Sequence, residues 1–378
     1  MIKFFKTQKR IAIKLIVLLA IISIFITFII LKSNSNIAEA WSTSFVRIYV
    51  LIIGNITSFF PYSLTELFFI QFIGLIIFFI VFAIIKLVKR KWFSSLSYAL
   101  NVLLMVFGLL TTYQFTAEMM YNRKRAEVPL YTEHVTRDNF KQIVTYFIND
   151  LNDCISHLEF DEEGDVVMPY TIHELKDLVS KEYDKLNSSY LFSFNVKAKP
   201  MHLSSWLYRE FHITGVTFIP LGEANVNTLN VNAGKGFTLA HEMAHTKGAM
   251  REGDADLFAA YITLHSDDYY LRFCGYHYTL SSLLYLARYT GVESDYQELL
   301  NTIDANYFKN NQFNSKYWNT YNRGRSFANW VNDIYLKISG QEEGTGSYGD
   351  TPSIIDAETG EFRYFSNYQK LYFSIYYQ

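Results

Sequence analysis

The sequence predicts a mainly α protein in two parts: amino-terminal transmembrane helices, then an α+β, helix-dominated domain. Long apolar runs crowd the first third of the chain and are bracketed by Lys and Arg. The remainder carries apolar residues mostly at helical spacing, with two short runs that read as strands. One of its helical stretches also holds two histidines four residues apart, His241 and His245.

The anchor is expected to fill residues 1–117. A first span at 11–32 is apolar from Ile11 to Leu31 apart from Lys14, and follows Lys3, Lys6, Lys9 and Arg10. It is too long for a secretory core, and Lys32-Ser33-Asn34 offers no small-residue cleavage pattern, so it reads as an uncleaved signal anchor. A second span at 66–86 ends in Lys86, Lys89, Arg90 and Lys91, and a third at 96–116 precedes Asn122-Arg123-Lys124-Arg125. Residues 45–60 are apolar too, but they carry Arg47 and Asn55 and stop at Pro61, so an interfacial or re-entrant segment is expected. Basic loops stay in the cytoplasm, and three spans then leave everything after the third outside; a fourth span at 45–60 would reverse this.

Residues 118–378 are enough for one substantial core. Helices are expected at 138–156, 172–186, 238–247, 252–264, 279–289 and 327–338, and strands at 191–196 and 215–221. Residues 118–378 carry 23 Lys and Arg against 34 Asp and Glu, a net acidic charge that argues against a nucleic-acid partner. Cys154 and Cys274 either bridge or sit as two buried apolar thiols.

The chemistry centres on His241-Glu242-Met243-Ala244-His245. Four-residue spacing puts both imidazoles on one helix face, where they can share one Zn²⁺, and Glu242 lies beside the open coordination position as a general base. A third ligand is needed. On an uninterrupted helix Glu252 would lie roughly 10 Å beyond His245, so the helix must break, and Gly248 is placed to form a left-handed cap. In a second helix Glu252 and Asp256 share a face, so one can bind the metal while the other holds a ligand histidine. Asp254 is a lesser rival. The pattern HExxHxxGxxH also fits as far as Gly248, but Arg251 stands where its third histidine belongs, and a guanidinium does not ligate zinc.

HExxH followed by Glu252-Gly253-Asp254-Ala255-Asp256 resembles the gluzincin metallopeptidases of the membrane-integrated Ste24 and HtpX type. That resemblance implies a zincin-like domain with His241, His245 and Glu252 as ligands of one zinc ion, Glu242 as base, and Asp256 as partner of a ligand histidine. Those families place many more residues between the two motifs. A wider likeness is to an uncharacterised bacterial membrane family, the domain of unknown function 3810. It rests on Pro61-Tyr62-Ser63-Leu64-Thr65-Glu66, Glu223-Ala224-Asn225-Val226-Asn227, Phe237 to Glu242, Arg251-Glu252, and Leu336-Lys337 through Ser347-Tyr348-Gly349. It implies a multi-pass protein of the bacterial cell membrane and brings no substrate.

The resulting expectation is a zinc metallopeptidase anchored in the lipid bilayer, with an extracytoplasmic catalytic domain cutting a polypeptide by zinc-activated water. The alternative is a catalytically silent zinc-binding sensor or assembly factor; an intact Glu242 beside an open position favours the enzyme. A carbonyl under attack needs a donor for its developing charge, and Tyr276, His277, Tyr278 and Tyr348 are candidates, His277 and Tyr348 foremost. The run Gly215 to Pro220 reads either as an edge strand that pairs with substrate backbone or as an ordinary core strand. Glu223, Asn225 and Asn227 either line the cleft or cap a turn. His265 reads as structural, and His173-Glu174 lacks a second histidine at the required spacing.

Overall fold

A computed structural model describes residues 2–126, 137–196, 198–288, 293–351, 353–355 and 362–377. The chain divides into two compact units, one of residues 1–124 with 218–223 and one of 125–217 with 224–378. The structure is mainly helical, as expected.

The first unit holds α1 (Ile2–Lys32), α2 (Ser35–Ser58, with one π-helical turn at Ser42–Val46), α3 (Leu64–Val88) and α4 (Trp92–Tyr121, with a π-helical turn at Gln114–Glu118). All four are long and apolar enough to cross a membrane. Cross-contacts fix their directions. Ser95 Oγ donates to the Ala83 carbonyl at 2.8 Å, and Tyr98 packs on Phe79 and Phe82, so α3 and α4 form an antiparallel hairpin. Lys14 Nζ donates to Ser97 at 2.8 Å, and Lys32 pairs with Glu118, so α1 runs parallel to α4. Lys32, Glu118 and the start of α3 therefore lie at one end of this three-helix array. The helix α2 both begins and ends there, with Trp41 Nε1 donating to the Phe115 carbonyl at 3.1 Å. Residues 45–60 are thus mostly part of a 24-residue helix that starts ten residues earlier than expected.

At that same end the start of α3 is capped twice. Ser63 Oγ accepts from Glu66 N at 3.1 Å, and the buried Glu223 carboxylate accepts from Thr65 N and Thr65 Oγ1, both at 2.8 Å. An acid at a helix N-terminus satisfies exposed N–H groups and complements the helix dipole. Glu223 therefore caps a helix, where its motif suggested a cleft lining or the cap of a turn.

In the second unit, α5 (Arg137–Ser156) and α6 (Ile172–Lys185) precede a three-stranded sheet of order β1-β3-β2. Its strands are β1 (Lys199–Met201), β2 (Gly215–Phe218) and β3 (Glu223–Asn227), with β1 and β3 parallel. The short α7 (Ser205–Glu210) links β1 to β2. The core helices α8 (Asn232–Thr246), α9 (Glu252–Leu264) and α10 (Tyr269–Ala287) pack on one another around Phe258, Phe273 and Tyr276. Then come α11 (Glu293–Asn301), α12 (Ala305–Thr320), α13 (Arg325–Ile338), the antiparallel pair β4 (Ile354–Ile355) and β5 (Phe362–Tyr364), and α14 (Asn367–Tyr377).

Several expectations need correction. Residues 191–196 form no strand; Phe192 N donates to the Lys247 carbonyl at 2.8 Å, and Lys247 Nζ donates to the Phe194 carbonyl at 2.9 Å, so a helix end supplies the partners. The helix expected at 238 starts at Asn232, its first turn masked by Gly234 and Gly236. A Cβ at Gly236 would come within 2.9 Å of Cys274 Sγ, so glycine there lets α8 approach α10. The helix expected at 279–289 starts at Tyr269, where Asp268 accepts from Leu271 N at 2.9 Å; Tyr289 lies outside the described residues. Cys154 and Cys274 are free and buried, and burial pushes their thiols up to about 11 and about 12.

Candidate metal centre

The helix α8 ends in a full Schellman turn. Gly248 adopts φ 97°, Gly248 N donates to the His245 carbonyl and Ala249 N to the Ala244 carbonyl, both at 3.0 Å. Positive φ is inexpensive only for glycine, so this residue turns the chain as its position predicted. The turn redirects the backbone into α9, which begins at Glu252. It also supplies a ligand clamp: the Ala249 carbonyl lies 2.9 Å from His245 Nδ1.

Three side chains then converge. The buried His241, His245 and Glu252 place one ligand atom each within 4.8 Å of the others. Glu252 Oε2 stands 3.2 Å from His241 Nε2 and 3.4 Å from His245 Nε2. With zinc–ligand bonds of about 2.0–2.1 Å, the edge of a tetrahedron is roughly 3.3 Å, so these separations suit a tetrahedral ion. Both Nδ1 atoms are tied back, His241 to Asp256 Oδ1 at 2.7 Å and His245 to Ala249, which turns both Nε2 lone pairs toward the shared point. Asp256 is fixed in turn by Gly349 N, which donates to Oδ2 at 2.5 Å. The donor set therefore fits a zinc ion.

The electrostatics follow from this crowding. Burial opposes the charged form of Glu252, yet the imidazoles of His245 and His241 outweigh it and hold the carboxyl well below the usual range. Burial likewise opposes protonation of His241, but Asp256 and Glu252 overcome it and raise this imidazole well above its ordinary value. Glu242 goes the other way: burial pushes its carboxyl up, with the two imidazoles and Thr217 pulling it partly back.

Glu242 is held from the edge strand. Thr217 Oγ1 on β2 donates to Glu242 Oε2 at 2.7 Å and lies 2.9 Å from its backbone carbonyl. A Cβ at Gly215 would sit 2.5 Å from Glu242 Oε1, so the strand passes against the carboxylate only because residue 215 is glycine. Neither residue was assigned a role from sequence, although the strand was; a glycine and a threonine on alternate residues of a strand carry no distinctive signal.

The other candidates separate. The Tyr348 ring lies 6.4 Å from that of His241, nearly parallel at 18°, and its hydroxyl accepts from Asn332 Nδ2 at 3.2 Å. His277 is engaged differently, with Nδ1 3.1 Å from Asn311 Oδ1 and Nε2 3.2 Å from Asn314 Nδ2. The structure thus brings Tyr348 to the cluster and gives His277 partners on α12. Tyr276 donates to Asp150 Oδ2 at 2.6 Å, and the Tyr278 ring stacks on Phe237. Asp254 stays out of the cluster, and Arg251 occupies the N-cap of α9. Glu174 closes a capping box with Thr171, and His265 Nδ1 sits 2.8 Å from the Tyr261 carbonyl.

A mainly helical fold with apolar amino-terminal helices and a buried His-His-Glu cluster defines the class of protein. The chain belongs to the family described as "Protein of unknown function (DUF3810)", whose profile matches residues 41–355. Searches of the curated proteins and of the solved structures found no match.

Proposed function

We infer that this protein is a membrane-anchored zinc metallopeptidase whose carboxy-terminal domain is zincin-like and of gluzincin type. The observation that carries the reading is the convergence of two tied-back imidazoles and Glu252 on one point, with the separately held carboxylate of Glu242 on the same helix. A site needed only for structure would close with four protein ligands, whereas three ligands beside a carboxylate outside the ligand set suit hydrolysis. When bound, zinc supplies Lewis acidity, lowering the pKa of a water and polarising the scissile carbonyl. Glu242 takes the water's proton and returns it to the leaving amine; its raised pKa matches it better to both steps than an exposed carboxylate. Tyr348 is the donor best placed for the developing oxyanion. Among the described residues β2 has one neighbour in its sheet, and its other edge is where an extended polypeptide would pair.

The four apolar helices are compatible with a membrane anchor. In our reading α1, α3 and α4 cross a bacterial cell membrane, and α2, which begins and ends at one end of that array, lies in the interface. Basic residues at 3–10 and 86–91 then face the cytoplasm and the catalytic domain faces outside.

The test compares purified wild type with Glu242→Gln for zinc content and for cleavage of unfolded protein substrates. The variant should keep about one zinc per chain and lose at least about a hundredfold in cleavage rate, since the base is removed and the ligands stay. Equal activity in the two would end the peptidase reading and leave the silent zinc site.

A further inference from the structure

The helix α13 carries a feature that neither the core nor the metal centre uses. Phe327, Trp330, Val331 and Ile334 are 39–62 % exposed, and at 100° per residue they fall within an arc of about 100°. The face turned toward the protein is less apolar, with half-buried Ala328 and Asn332 and buried Leu336. Trp330 and Phe327, among the largest side chains of the helix, thus point to solvent.

We propose that α13 is a bilayer-surface helix whose Phe327, Trp330, Val331 and Ile334 stripe inserts among lipid acyl chains below the headgroups. Three observations choose lipid over a protein partner. The four side chains together expose roughly 400 Å², about half of the 800 Å² or so that each side of a stable protein complex contributes. They lie on one convex helix, a shape that fluid acyl chains accommodate. Residues 323–338 also hold Arg323, Arg325 and Lys337; Lys337 pairs with Asp333 at 2.7 Å and Arg323 lies 4.0 Å from Glu210, and the cationic excess that remains complements anionic headgroups.

This rests on the reading of the amino-terminal helices as spans and extends it to the site. After α13 the turn Gly344–Ser347, held by Thr345 N donating to Asp333 Oδ1 at 3.1 Å, leads to Tyr348 and Gly349 beside His241 and Asp256. A lipid-seated α13 places that wall of the site at the membrane surface, so the substrate class is polypeptide presented there.

The experiment uses the full chain in vesicles of phosphatidylcholine with phosphatidylglycerol, carrying an environment-sensitive fluorophore at Val331→Cys, Ile334→Cys or, on the polar arc, Asn329→Cys. The native thiols are buried and resist labelling. Probes at 331 and 334 should be quenched by nitroxide-bearing lipid at least about threefold more than the probe at 329, and shielded from aqueous iodide, as for a helix seated roughly 5–10 Å into the interface. Equal iodide access at all three positions overturns the proposal. Shielding without lipid quenching, growing with protein density, overturns it in favour of a second copy of the chain. Protein that fails to float with the vesicles removes the span reading itself, and the proposal with it.

Discussion

Two helices of this protein invert the usual rule of apolar inside and polar outside, in opposite directions. In α3 no residue of the most apolar stretch is buried, and Ile70, Ile73, Leu75, Ile77 and Ile84 are each about half exposed. In α8 nearly every residue is buried, and these include His241, Glu242 and His245. Each inversion costs free energy in water unless something else is present, which in the proposed reading is lipid around α3 and a cation with a substrate at α8. The pair shows why surface and core are informative only where they break the rule. Exposed isoleucines point to a solvent other than water, and buried carboxylates and imidazoles point to a ligand.

The comparison breaks most visibly through a charge in α3. Ile77 is 56 % exposed, so in a water-soluble protein Ile77→Lys would be close to neutral. If α3 spans, the lysine should cost about 2.5–3.5 kcal/mol of insertion, read as a fall in the membrane-inserted fraction in a glycosylation or protease-protection assay. No change in that fraction would remove lipid from the account of α3. A smaller effect is expected beside the ligands. Asp256→Ala frees His241 Nδ1 from its 2.7 Å partner and should weaken zinc binding roughly 10 to 100-fold, whereas Asp254→Ala should leave it unchanged. Competition against a chelator of known affinity separates the two, and equal losses would mean that the second motif is misread.

The smallest effect concerns pH and a residue with partners outside the cluster. Burial lowers the His277 imidazole to about 4 from an ordinary 6.5. The unfolded chain therefore takes up this proton first as pH falls, so the stability His277 contributes is whole above about pH 6.5 and is lost toward about pH 4. His277→Gln should lose less unfolding midpoint between pH 6.5 and 4.5 than wild type does. A steeper loss in the variant would contradict the sign.

What the sequence revealed tracks where local chemistry decides structure. The helix break at Gly248 was legible because one residue type suits positive φ, and the shared face of Glu252 and Asp256 followed from helical spacing alone. The apolar helices were legible because length and composition suffice. Tertiary facts were not. The helices α11, α12 and α14 went unseen; α12 is rich in asparagine, a weak helix former, and its packing outweighs local propensity. Thr217 and Gly215 acquire meaning only when β2 passes along Glu242, a proximity of 25 residues in sequence that no spacing rule reports. His277 was chosen for its residue type, and the structure spends both of its nitrogens on asparagines.

The central claim is that His241, His245 and Glu252 form one metal centre, and metal analysis of purified wild type beside Glu252→Ala tests it most directly. About one zinc per wild-type chain and loss of most of it in the variant are expected, since two imidazoles alone leave the ion without its carboxylate. Wild type without zinc after metal-replete purification, or Glu252→Ala binding zinc as tightly as wild type, would contradict it.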